Sequence, residues 1–329
     1  MWAAPPGRTV GAMTTQAFDP TSGDVLVVET AGLTKRFGER TVVASVELQV
    51  PRGVAFGYLG PNGAGKTTLI RVLLGLTPAS GGSMRLLGMA VPERRAEALA
   101  RVGAIVEEPR FHGHLTGREN LAIVAAARGR YAAARIDGAL ERLGLAARAD
   151  DRVGTYSLGM RQRLGIARCL LADPELLILG EPMNGLDPAG IRDFRAFVRD
   201  FVAEGRTIVL SSHLLDEVEK TCDHVAIVDQ GRIVVQGSIA ELRDGGRHGV
   251  LVEVDDRPRA RALLGAHPAV ARVVDDGAAL RAVLLDSESV PDLNTRLVDA
   301  GLRVARLEPG RASLEQRFLE ITTRLENAA

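Results

Sequence analysis

The chain has 329 residues, 46% of them hydrophobic and 25% charged, a globular composition long enough for one large domain or two ordinary ones. Its 41 basic and 41 acidic side chains cancel, so no general attraction to nucleic acid is implied. Cys169 and Cys222 make neither a disulfide framework nor a zinc site, and no uninterrupted apolar run is long enough to span a bilayer.

Residues 1–24 are rich in Pro, Gly, Thr and Ala and lack the apolar core of a secretory signal, so a disordered tail is expected there. Alternating runs at 25–29 and 42–50, separated by Gly38, predict an antiparallel β pair. A buried strand follows at 54–59, then a glycine-rich turn, then a helix over 66–76. The stretch 116–171 is predicted to be helical throughout, because Leu121, Val124, Ala125 and their successors recur at spacings of three and four. Strand-like runs return at 176–179, 208–210, 225–228 and 233–235, with helices at 189–203 and 214–221 between them. Strands alternating with helices predict a largely parallel sheet.

The segment 243–249, RDGGRHG, reads as a boundary between a first domain of residues 25–243 and a C-terminal α+β domain of 250–329. Beyond it, strands are expected at 250–254, 270–274, 280–285 and 302–307, with helices at 258–266, 290–300 and 314–325. The order β-α-β-β-α-β over 250–307 is ferredoxin-like.

Of the 41 basic side chains only Lys35, Lys66 and Lys220 are lysines, which singles each of them out. Lys66 closes the run Gly60-Pro61-Asn62-Gly63-Ala64-Gly65-Lys66-Thr67-Thr68, a phosphate-binding loop placed between a predicted strand and a predicted helix. Glycines let successive N–H groups converge on phosphate oxygens, and the helix N-terminus adds partial positive charge at the same point. Lys66 would bring a full charge to the β and γ phosphates, and the Thr67 hydroxyl a ligand for Mg²⁺.

Four further segments resemble the ATP-binding-cassette (ABC) family over about residues 25–243. The run Tyr156-Ser157-Leu158-Gly159-Met160-Arg161-Gln162-Arg163 is similar to the family's signature, LSGGQQQR. Residues 176–188, LLILGEPMNGLDP, resemble the Walker B strand and D-loop, hhhhDEPTNGLDP. Glu181 matches the carboxylate that polarises water and Asp187 the D-loop aspartate, but Gly180 stands where the family has aspartate, and Met183 replaces threonine. Ser211-Ser212-His213 is similar to the switch whose histidine meets the γ-phosphate. Residues 102–106 end in Glu107 where the family's Q-loop has glutamine, a feature shared with bacitracin-resistance-like exporters. Phe37 matches the aromatic that stacks on adenine, with packing in the β core as the competing reading.

The resemblance implies an α/β P-loop fold with a parallel-sheet core, an antiparallel β subdomain and a helical insert. It implies ATP and Mg²⁺ as ligands, with Thr67 and Glu107 at the metal and Glu181, His213 and Glu107 in catalysis. It implies two cassettes docked head to tail, a second copy or a paralogue, so that Ser157 and Gly159 of one meet the γ-phosphate held by Lys66 of the other. A separate integral membrane permease would be the partner, holding this chain on the cytoplasmic face of the membrane, and a drug or other amphiphile would be the cargo. The alternatives are an ATP-gated binding subunit with little hydrolysis, which Gly180 would permit, and a soluble non-transport ATPase.

Overall fold

The computed structural model describes residues 25–244, 249–285 and 289–310. The expected N-terminal tail and the expected helix at 314–325 lie outside the described residues. The chain divides into two compact units. One runs up to His213 and takes in His224–Gly237; the other takes in Leu214–Asp223 and continues from Ser238.

In the first unit β1 (Leu26–Phe37) turns at Gly38 into β2 (Arg40–Val46), followed by β3 (Gln49–Pro51) and β4 (Ala55–Leu59). The helix α1 (Lys66–Leu73) leads to β5 (Gly81–Leu86), β6 (Met89–Val91), α2 (Arg95–Ala100) and β7 (Val102–Ile105). Then come α3 (Gly117–Arg128), α4 (Arg130–Ala133), α5 (Ile136–Arg142) and α6 (Leu158–Leu170). The unit is completed by β8 (Leu176–Gly180), α7 (Pro188–Ala203) and β9 (Thr207–Ser212), and, after α8 (Leu215–Glu219) of the second unit, by β10 (His224–Asp229) and most of β11 (Arg232–Ser238).

The predicted antiparallel pair is present, but β1 is longer than its alternation predicted. Gly32 at φ +59° and the irregular register between Leu33 and Arg36 break the pattern while the pairing continues to Phe37. Residues 81–100, which carried no prediction, supply β5, β6 and α2. The short, half-exposed GGSMRL run of β5 has little periodicity of its own and is held by pairing with β1. The stretch 116–171 is not helical throughout. Gly129 and Gly144 take left-handed φ of +93° and +65°, and turns with two short 3-10 segments fill the interval between α5 and α6. The start of α3 is fixed by a capping box: Glu119 N–H donates to Thr116 Oγ1 at 3.1 Å and Thr116 N–H donates to Glu119 Oε2 at 2.8 Å.

The sheet that positions the site has the order β11-β10-β4-β9-β8-β7, parallel from β10 to β7. Every residue of β4, β8 and β9 is buried, as expected for strands covered on both faces. The carboxyl ends of these three strands lie side by side, with Tyr58 opposite Ser211 and Gly180 opposite Ser211 on the other flank. Ligands of open α/β sheets bind outside such strand ends.

In the second unit α9 (Ile239–Asp244) precedes β12 (Gly249–Val254), α10 (Arg257–Gly265), β13 (Val270–Asp276), β14 (Ala279–Leu284), α11 (Val290–Asp299) and β15 (Val304–Gly310). The sheet order is β13-β14-β12-β15 with all neighbours antiparallel, a split β-α-β arrangement. Its own core gathers Val250, Val252, Leu264, Leu280, Leu293 and Leu297.

Candidate nucleotide site

Gly60 to Gly65 curl between β4 and α1. Gly65 sits at the helix start with φ +93°, and a Cβ there would meet the Val42 carbonyl oxygen at 2.5 Å, so this position requires glycine. Thr67 and Thr68 occupy the first turn of α1 and are half-buried. Lys66 is only 7% exposed, and its ammonium meets three acceptors. It donates to Gly60 O at 2.6 Å and Pro61 O at 3.2 Å, and lies 3.4 Å from Glu181 Oε1. A buried ammonium is tolerable only with such partners.

Glu181 follows directly on β8 and takes a left-handed φ of +47°, which costs a non-glycine residue about 1–2 kcal/mol. Its N–H donates to Ser211 O at 3.1 Å, which ties the end of β8 to β9. Its second oxygen, Oε2, lies 2.9 Å from His213 Nδ1, within hydrogen-bond distance. Lys66, Glu181 and His213, drawn from three separate segments of the chain, therefore form one connected set at three adjacent strand ends.

The other sequence-selected residues group differently. Ser157 caps α6, accepting from Met160 N–H at 3.2 Å, and Asp187 caps α7, accepting from Gly190 N–H at 2.8 Å. Gly159 lies against Leu186, whose side chain would be 3.2 Å from a Cβ at that position, so the signature turn and the D-loop are neighbours. Among the described residues no hydrogen bond or ion pair joins Ser157 or Gly159 to Lys66, Glu181 or His213. Glu107 lies just past β7, 65% exposed, and pairs with Arg71 of α1 at 2.8 Å. Phe37 is 53% exposed, not packed in the β core, and the buried Lys35 ammonium sits 4.8 Å from its ring centre.

Gly180 is enclosed. A Cβ at this position would fall onto the carbonyl oxygen of Val106 and lie 3.3 Å from that of Ile105, so the exit of β7 occupies the room a larger residue would need. Met183, the milder departure, is 3% exposed and packs inside.

These features have parallels in known proteins. The sequence profile of the ABC transporter family matches residues 43–184. YdbJ of Bacillus subtilis (strain 168), an uncharacterised ABC transporter ATP-binding protein, is 40% identical over 298 residues, 90% of this chain and 96% of that protein. This chain belongs to the ABC transporter family. BcrA of Enterococcus faecalis, a bacitracin transport ATP-binding protein, is 39% identical over 297 residues, covering 90% of this ABC chain and 96% of its own. Among solved structures, an ATP-binding subunit of an ABC transporter superposes with a TM-score of 0.61 at 29% identity, over 67% of this chain and 92% of that one. Among the described residues of this ABC protein, no helix is long and apolar enough to cross a membrane.

Sequence reasoning missed two participants around the ABC site. Arg71, the partner of Glu107, carries no motif signal. The Val106 carbonyl, which fills the space beside Gly180, is a backbone group and invisible in a side-chain pattern. Lys35 beneath Phe37 was signalled by the scarcity of lysine.

Proposed function

We propose that this chain is the ATP-binding and ATP-hydrolysing subunit of an exporter, and that it drives a separate membrane-spanning subunit from the cytoplasmic face. The observation that carries this reading is the connected set Lys66, Glu181 and His213 at the strand ends, immediately beside the phosphate-binding loop. Incoming γ-phosphate oxygens would replace Glu181 as a partner of Lys66 and free Glu181 Oε1 for a water. Glu181 would then take the proton as the water oxygen bonds to the γ-phosphorus and the bond to the bridging β–γ oxygen breaks, with His213 orienting the carboxylate through Oε2.

Mg²⁺ ordinarily takes few protein ligands beside nucleotide phosphates, and the described residues offer no cluster of three or more acidic, His or Cys groups for a protein cage. Thr67, at the start of α1, and Glu107 would hold it, and the ion would neutralise charge developing on the phosphates. To do so Glu107 has to leave Arg71. Phe37, exposed at the end of β1, is assigned to the adenine.

Among the described residues Ser157 and Gly159 make no hydrogen bond or ion pair to Lys66, which supports completion of the site by a second cassette. A groove lined by Arg110, Phe111, Ile123, Val124 and Arg168 supports a membrane partner. Its lining of apolar side chains and two guanidinium groups, with His112 and Asn120, suits an amphipathic cytoplasmic helix carrying a carboxylate. Likeness to a bacitracin transport protein supports a drug or other amphiphile as cargo. We assign residues 25–243 to the nucleotide-binding domain and 250–329 to a C-terminal α+β domain of ferredoxin-like type.

A second reading, an ATP-gated subunit with little hydrolysis, is favoured by Gly180, because the space of the missing aspartate is taken by the Val106 carbonyl. Mg²⁺-dependent phosphate release decides between the two, with the protein compared against Lys66→Ala and a fluorescent ATP analogue reporting binding. We expect turnover well above Lys66→Ala. Nucleotide binding without turnover would establish the second reading, and binding unaffected by Lys66→Ala would remove both.

A further inference from the structure

A cavity of about 350 Å³ lies among the end of α5, α6 and α7, and its wall includes Pro182 and Leu186 from the turn between Glu181 and Asp187. That volume suits a small ligand. On α7 the lining residues Asp193, Phe194, Phe197 and Asp200 recur at helical spacing, so one face alternates carboxylate, phenyl, phenyl and carboxylate. The two rings are 6.4 Å apart.

From α6 the cavity receives Gln162, which is 6% exposed and makes no side-chain hydrogen bond among the described residues. Its amide opens onto the cavity, where it offers a donor and an acceptor to a polar ligand group. Three carboxylates of exposed residues, Glu141, Asp193 and Asp200, and two guanidinium groups, Arg142 and Arg163, border the cavity. Asp193, Asp200 and Glu141 have no ion pair among the described residues, whereas Arg142 is held by Glu204 at 2.6 Å and lies over the ring of Phe197 at 5.5 Å. The other lining cation, Arg163, donates to Leu143 O at 3.3 Å.

We propose that this cavity is an effector site for a small organic cation with an aromatic body. The phenyl rings would stack on the body, the carboxylates would neutralise the charge, and Gln162 would bond a polar substituent. Leu186 both lines the cavity and packs on Gly159, so an occupant bears on the D-loop and the signature turn together. The effector role rests on the ATP-driven reading above; binding itself does not.

The test titrates proflavine, a small fluorescent aromatic cation, into the full-length chain and follows fluorescence polarisation. We expect saturable one-to-one binding that persists in Lys66→Ala. It should weaken roughly tenfold in the double variant Asp193→Asn, Asp200→Asn, with an unchanged melting temperature, and neutral acridone should bind comparably weakly. Adding ATP with Mg²⁺ should shift the proflavine affinity by a factor that levels off at saturation, as linkage between two sites requires. Absent binding, insensitivity to the double variant, or displacement by ATP that never levels off overturns the site. Binding with no ATP-dependent shift overturns the effector role. Retention of ATP binding in Lys66→Ala would sink the functional reading and leave the cavity to be judged by proflavine alone.

Discussion

The centre and the edge of the parallel sheet treat their motif residues differently. At the ends of β4, β8 and β9 each strand is flanked on both sides, and Lys66, Glu181 and His213 arrive at contact distance of one another. At the edge, β7 has a neighbour only in β8, and Glu107 turns outward to Arg71. A strand with two partners has its register fixed twice over, so the position of the residue beyond its end follows from pairing. The residue beyond an edge strand goes where the next charge or carbonyl lets it. The same edge segment lays the Val106 carbonyl against Gly180, so the edge intrudes on the centre at one point.

This contrast breaks first, if it is wrong, at Glu181. Glu181→Gln should lower phosphate release about 10²- to 10⁴-fold, the range for a lost general base, while nucleotide affinity stays within about threefold. Turnover that survives the change would move catalysis away from the central set.

Gly180→Asp probes the intrusion. We expect it to lose about 1–3 kcal/mol in urea unfolding, the usual cost of overpacking, and to gain no turnover, because its Cβ meets backbone. Turnover that rises without a loss of stability would show that the β7 exit yields easily.

At the edge itself, Glu107→Gln should raise the Mg²⁺ needed for half-saturation of ATP binding by about two- to fivefold, a modest effect because the carboxylate must first leave Arg71. An unchanged requirement would leave Glu107 as a partner of Arg71 alone.

The smallest effect belongs to Asp173, in the turn before β8, at the end of that strand away from Glu181. The hydrogen bond from Arg206, with its nearby charge and that of Arg135, holds the Asp173 carboxyl below the usual carboxylate range against some desolvation. The stabilisation is present above the unfolded-state pKa of about 3.9 and is lost as pH falls through the lower folded-state value. The pairs are roughly half-exposed, so Asp173→Asn should cost less than about 1 kcal/mol at pH 7, and the difference from the unmodified protein should vanish in acid. A difference that persists at low pH would assign the effect to packing rather than charge.

Much of this protein was legible along the chain. The phosphate-binding loop, the glycine at Gly65 and the buried strands β4, β8 and β9 follow from local pattern, because short apolar runs between turn residues have few other places to go. The structure adds caps at Ser157 and Asp187, each satisfied within three residues. Less legible were the helical insert, where apolar spacing continued across Gly129 and Gly144 although the backbone turned, and β5, whose stability comes from β1 and not from its own residues.

The sequence by itself determined which side chains are available to a nucleotide and on which elements they ride, since composition, spacing and caps act over a few residues. Tertiary structure alone decided that Lys66, Glu181 and His213 connect, that Glu107 pairs with Arg71, and that the Val106 carbonyl closes on Gly180. Each of these joins segments separated by tens of residues or more, and strand order, which sets such distances, is a property of the whole sheet and not of any one strand.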